Sequence, residues 1–255
     1  MILIDTEKHL NVFDFIGFPD YSQRVKIKEK FFDLNRLRLI QCPLDLIIID
    51  IKYEFYYIWS AHLNNFLSSL NIQFFNMCNV YLKHPPEYKL TESNSEEQRI
   101  YKLFFDTYAE VTIVYLMSYY EKSLSMYNDV FCLNEAGSHR KIVLEKLDEL
   151  KNPRAIPIII ILKEIANSKE FKYLNSIRND FIHNKSRFQA GMNIVRKNGG
   201  FISGNGAGES TEKIMDNIIK LLSLYETYVN LANKFFQGEF YMNDGEFPIH
   251  KIICF

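Results

Sequence analysis

Over most of this chain the apolar residues recur at the helical spacing of three to four positions, and the pattern divides into segments with recognisable ends. A charged helix is expected from Tyr21 to Ile40, carrying Val25, Ile27, Phe31, Phe32, Leu34, Leu37 and Leu39 and stopping before Pro43. Pro43 stands at a first-turn position for a second helix, Leu44 to Lys83. That segment is apolar over more than half its circumference, the mark of a central helix touched on two sides, with a weak point near Asn71. His84-Pro85-Pro86 through Ser95 reads as a connector. Ser95 then caps a long helix from Glu96 to Leu133, with acidic residues in its first turn. Ser138 caps a short helix from His139 to Leu150, which Lys151-Asn152-Pro153 ends. A helix from Arg154 to Asn167 carries the isoleucine run, and Ser168 caps the next, Lys169 to Asn184.

The helical regime breaks once. Gly191 to Lys197 and Phe201 to Gly204 flank Asn198-Gly199-Gly200, and Asn-Gly accepts the positive φ that a tight hairpin turn requires. Ser210 opens a last amphipathic helix, expected to end before Gly238. Residues 1–20 and Phe247 to Phe255 have the character of short strands or arms that pair with each other or cover the core. The fold class is therefore all-α: an up-and-down bundle of long helices with a small β-hairpin insertion near 191–204 and short terminal strands. The N-terminal arm and helices, 1–90, either join the same bundle or stand apart from a helical core with the hairpin insert at 91–255.

Composition agrees with long packed helices: 47% of residues are hydrophobic, and 21 Phe and 16 Tyr stand against only 10 Gly and 7 Pro. The formal net charge of −1 excludes a global basic field, so any nucleic-acid contact must be local. Cys42, Cys78, Cys132 and Cys254 are scattered without a CxxC pair and read as reduced thiols, which places the chain in a cytoplasmic setting. Asp5, Glu7 and Lys8 interrupt the opening apolar run, so no signal peptide is read. The longest apolar run, Ala155 to Leu162, is far shorter than the roughly 20 residues a membrane span needs, so a soluble protein is expected.

The chemistry-bearing stretch is Ser176-Ile177-Arg178-Asn179-Asp180-Phe181-Ile182-His183-Asn184-Lys185. At about 100° of rotation per residue, Leu174, Ile177 and Phe181 form one stripe directed at a core, while Asn179 and His183 fall together on another. Arg178 sits at the edge of the apolar stripe, where its long stem can carry the guanidinium towards the imidazole. The plainer reading is a surface arginine and a helix C-terminal histidine that complements the dipole.

An arginine, a polar residue directly after it and a histidine five positions on, late in a helix of a helical chain, resembles the signature of the HEPN superfamily. The resemblance implies an RNase that works without metal or other cofactor. It gives His183 the role of general base at a ribose 2′-OH or of acid at the leaving 5′-oxygen, Arg178 that of phosphate clamp, and Asn179 that of orienting the ring or donating to phosphate. The products would be a 2′,3′-cyclic phosphate and a 5′-hydroxyl end. One imidazole cannot readily be both acid and base in one turnover, so a homodimer with a composite site is implied. RNA is the implied partner, and an antitoxin or other defence-system protein a further one. Lys185 and Arg187, then Arg196 and Lys197 on the hairpin, extend positive charge suited to neighbouring phosphates. The other reading is a catalytically silent helical module that binds RNA, nucleotide or protein.

Other candidates are weaker. His62 and His139 have no second ligand at helical spacing and read as core or surface residues rather than metal ligands. Gly204 to Ser210 lacks the lysine of a phosphate loop and the third glycine of a dinucleotide fingerprint. Asp129, Glu135, Glu96 and Glu97 read as caps and surface carboxylates.

Overall fold

The computed structural model describes residues 18–47, 51–83, 96–133, 140–183, 192–197, 200–205 and 210–241. Among these the fold is a helical bundle. Its helices are α1 (Tyr21–Lys30), α2 (Leu44–Ile47), α3 (Ile51–Lys83), α4 (Glu96–Val130), α5 (Arg140–Glu149), α6 (Ile156–Asn167), α7 (Lys169–His183) and α8 (Thr211–Tyr241). A 3₁₀ turn spans Leu34–Leu37, and β1 (Met192–Lys197) pairs antiparallel with β2 (Gly200–Asn205), Lys197 opposite Gly200 and Met192 opposite Asn205. The expected terminal strands lie outside the described residues, as do the connector at 84–95 and the Ser138 cap.

The long helices α3 and α4 run antiparallel. Trp59 meets Asp129, Phe66 meets Tyr115 and Tyr81 meets Phe105, so position rises along one helix as it falls along the other. Helix α8 runs parallel to α4, with Tyr225 against Leu116 and Tyr119, Tyr228 against Tyr127 and Phe235 against Phe131. Helices α6 and α7 pack on α8, and α7 also on α4. The shared core is rich in tyrosine, and several of the hydroxyls find carbonyls: Tyr120 donates to Leu162 O and Tyr225 to Leu116 O. Such bonds offset the cost of taking a phenol out of water.

The helix expected from Tyr21 to Ile40 is shorter. Asp20 caps α1 in a capping box with Gln23, and the helix stops at Lys30. Phe32, Leu34, Leu37 and Leu39 are all buried, yet at 100° per residue they fall in two pairs on opposite sides of the axis, so a helix lying on the surface of the core could bury only one pair. The chain instead forms a strap whose backbone is satisfied by side chains. Tyr119 donates to Leu37 O and Tyr56 to Ile40 O. The Asn64 amide pairs with both Leu39 N–H and Leu39 O, each at 2.9 Å, and Asn233 pairs with Ile40 N–H and Arg38 O. With Arg38 N–H on Asn35 O, every peptide group from Leu37 O to Ile40 O has a partner, as a buried extended segment requires.

Other boundaries also moved. Helix α3 is continuous through Asn71, because buried Leu67, Leu70 and Phe74 hold one face of it in the core and outweigh the local propensity. Helix α4 ends at Val130 rather than Leu133. Cys132 takes φ 52°, its N–H bonds to Asp129 O and that of Leu133 to Asn128 O, a Schellman closure built without glycine. Helix α6 starts at Ile156 because Asn152 first ties Arg154 and Ala155 into a turn. Helix α8 continues past Gly238 to Tyr241. The buried positions Ala232, Phe235 and Phe236 of its last turns keep it helical where a lone glycine costs only about 1 kcal/mol.

Candidate active site

Helix α7 begins where Ser168 Oγ accepts from Phe171 N–H at 3.1 Å, and Phe171 is pinned edge-on to Tyr120 with 5.0 Å between ring centres. Phe171, Leu174 and Ile177 are buried, which sets the rotation of everything that follows. The apolar stripe does not extend as far as expected: Phe181 is 40% exposed and its neighbour Ile182 48%. The last turn of the helix therefore runs beyond the core.

Arg178 is not free at the surface. Its Nη1 donates to Glu121 Oε1 at 2.8 Å and its Nη2 to Glu121 Oε2 at 3.2 Å. The carboxylate belongs to α4, 57 residues away in sequence. Both partners are about a fifth exposed, 19% and 23%. Two parallel bonds fix both the position and the plane of the guanidinium, which a single contact to lysine would not do. Its Nε is buried without a hydrogen-bond partner among the described residues.

Asn179 is exposed, and the backbone of His183 closes the helix. From Asn179 to His183 is one helical repeat, a rise of about 6 Å and a rotation of about 40°, so the two positions share a stripe. Arg178 lies about 140° from His183 around the same axis. The His183 ring lies outside the described residues, as do Lys185 and Arg187 entirely. Arg196 and Lys197 have backbone positions on β1, and their side chains also lie outside the described residues.

On the N-terminal half of α4, Lys102 and Asp106 form a buried ion pair one turn apart. Burial holds the Asp106 carboxyl up at about 6 against the pull of Lys102. Burial, then the Asp106 charge, hold Glu110 up at about 7. At the other end of the helix Asp129, expected to be a plain surface carboxylate, accepts from Trp59 Nε1 at 2.7 Å. Exposed His62 stands 3.1 Å from Lys122 Nζ. Cys42 and Cys78 are buried cysteines and Cys132 a half-buried one. Among the described residues no three of His, Cys, Asp or Glu gather as a metal site, and no helix is long and apolar enough to cross a membrane.

Residues 59–234, from Trp59 in α3 to the last turns of α8, match the family described as HEPN_Cthe2314-like HEPN. The chain belongs to this HEPN family. It is thereby a nucleotide-binding or RNase-like helical module by kind, and the arginine, asparagine and histidine of α7 fall inside the match. No curated protein and no solved structure matches the chain. The resemblance to HEPN proteins was readable in the sequence. Glu121 was not, because nothing near it distinguishes it from the other charged residues of α4; only the packing of α7 on α4 brings it to Arg178.

Proposed function

We propose that this HEPN chain is an endoribonuclease that acts without metal, with His183 as the proton-transferring group and Arg178 as the cation at the phosphate. The ribose 2′-OH attacks the adjacent phosphorus, the bond to the 5′-oxygen breaks, and a 2′,3′-cyclic phosphate and a 5′-hydroxyl end result. Imidazole suits both proton steps because it titrates near neutrality. Negative charge growing on phosphorus is met by a guanidinium whose direction is fixed before substrate arrives. The observation that carries this reading is the bidentate Glu121 grip on Arg178 within the motif helix of a family-matched chain. Glu121 thereby acts as a positioning residue, leaving the second N–H of each Nη for a phosphate.

One imidazole does not serve both proton steps, so the complete site takes a second copy of the chain. The half-exposed Phe181 and Ile182, on the turn that also carries His183, supply the apolar contact such a pairing buries.

A second reading is favoured by the same ion pair. If Glu121 satisfies Arg178 permanently, the module binds RNA or nucleotide without turnover. The two readings separate in one assay. Purified protein in EDTA is mixed with a labelled single-stranded RNA, and the product ends are analysed. The nuclease reading expects cuts with cyclic-phosphate ends that vanish in His183→Ala and fall steeply in Arg178→Ala while the melting curve of His183→Ala is kept. Intact RNA, or cutting unchanged by His183→Ala, refutes it.

A further inference from the structure

The exposed seam of α3 and α4 holds a second cluster that the proposed chemistry does not use. Lys122 Nζ lies 3.1 Å from His62 Nε2. An ammonium has only donors, so Nε2 must accept, and the neutral ring must carry its proton on Nδ1. Burial, then the Lys122 charge, lower the pKa of His62, which keeps the ring in that neutral form. The pair thus presents donors alone: two remaining N–H groups on Nζ, one on Nδ1, and one net positive charge.

Among the described residues no carboxylate pairs with that ammonium. Beneath the ammonium lies the Phe66 ring, 5.4 Å from Nζ to the centroid. The acids next along α4 are engaged elsewhere: Glu121 holds Arg178, and Asp129 accepts from Trp59 through one oxygen and from Asn128 through the other. Beyond Glu54, α3 carries no acidic residue to its end. Trp59, fixed by its bond to Asp129, meets the His62 ring edge-on at 5.7 Å, and Phe66 lies 4.8 Å from Tyr115. Half-buried aromatic rings beside a cation with no carboxylate partner among the described residues are the elements that hold unpaired nucleotides, the rings by stacking and the cation by its phosphate contact.

We propose that His62 and Lys122, with Trp59 and Phe66 beside them, form a phosphate-binding point for single-stranded RNA on the α3–α4 seam, one residue along α4 from the Glu121 that holds Arg178. The inference rests on the RNA reading of the module but not on turnover. It gives the strand a grip outside the R-N-D-F-I-H stretch, so binding and cutting separate.

The test is the anisotropy of a 5′-fluorescein-labelled, 12-nucleotide polyuridine titrated with the full chain across a potassium chloride series. All proteins carry His183→Ala so that the RNA stays whole. Lys122→Ala is expected to weaken binding about 3- to 10-fold and to flatten the slope of log affinity against log salt by about 0.7, the value for one lost phosphate contact on a single strand. Lys122→Arg keeps the slope, and His62→Ala weakens binding without changing it. Lys146→Ala, at an exposed lysine of α5, serves as the control and changes neither. A slope the same in Lys122→Ala as in Lys146→Ala overturns the site, as does absence of binding by the parent; cutting by the wild-type chain, measured separately, then leaves the nuclease reading standing. Conversely, a flattened slope together with a wild-type chain that never cuts supports the site and removes the nuclease. Lys122→Gln repeats the measurement should the alanine variant fail to fold.

Discussion

Replacing Glu121 by alanine removes the group that holds Arg178, and the cost follows from the geometry. Two unit charges about 3 Å apart attract by roughly 5 kcal/mol at an effective dielectric constant of about 20, before desolvation is subtracted. The pair is about four-fifths shielded from water, with both carboxylate oxygens engaged at 2.8 and 3.2 Å. That places it between an exposed ion pair at about 0–1 kcal/mol and a fully buried one, whose breakage costs about 3–5 kcal/mol. We expect Glu121→Ala to lose about 2–3 kcal/mol of stability, since the guanidinium, with Nε already unpaired, is then left without a hydrogen-bond partner among the described residues. For a chain of this size that corresponds to a fall in Tm of roughly 5–10 °C. Arg178→Met keeps the stem and removes the charge. The double-mutant cycle of Glu121→Ala and Arg178→Met, read by urea unfolding, should return a coupling of about 1.5–2 kcal/mol. Arg178→Lys should recover less than half of it, because a point charge cannot make the parallel pair. A coupling below about 0.5 kcal/mol, within the range of exposed pairs, would show that the guanidinium is not held, and the argument for its preset orientation would go with it.

Three further expectations concern the scaffold. Asn64→Ala leaves Leu39 N–H and Leu39 O without their amide partner and should cost about 2–3 kcal/mol, with faster hydrogen exchange at the Leu39 and Ile40 amides if the strap loosens as a unit. Gly238→Ala meets nothing within 4 Å of the added Cβ and lies in helix, so it should raise the unfolding free energy by about 0.5–1 kcal/mol. The third is a pH dependence. Glu110 and Asp106 have folded-state pKa values raised to about 7 and about 6. The native state therefore binds their protons more tightly than the unfolded chain does. Stability should decline as pH rises from about 4 through about 7, by on the order of 1–2 kcal/mol once the partial exposure of Glu110 is allowed for. Melting curves of Glu110→Gln should lose the upper part of that decline.

Much of the helical architecture could be read from the chain, since each long helix carries its own apolar stripe and two of the expected caps lie among the described residues. Ser168 caps α7 through its hydroxyl, and Ser210 Oγ accepts from Lys213 N–H at the start of α8. The errors fell where the core overrules local preference. Gly238 and Asn71 looked like stops, but neighbours that must be buried carry the helix through them. Between Phe32 and Leu39 the apolar residues looked helical by count. A helix lying on the surface of the core could not bury both pairs, and side-chain amides from α3 and α8 gave the extended strap the partners it needed.

The sequence by itself determined that the chain is a bundle of long helices, and it singled out Arg178, Asn179 and His183 as candidate site residues, because helical period, caps and a short motif are local properties. Only the tertiary structure decided what surrounds them. Glu121 reaches Arg178 and Lys122 reaches His62 because α4 is packed between α7 and α3, and polar pairing across helices depends on which faces the burial of apolar side chains brings together. Those faces are set by the whole core at once, so no stretch of the chain announces its electrostatic partner in advance.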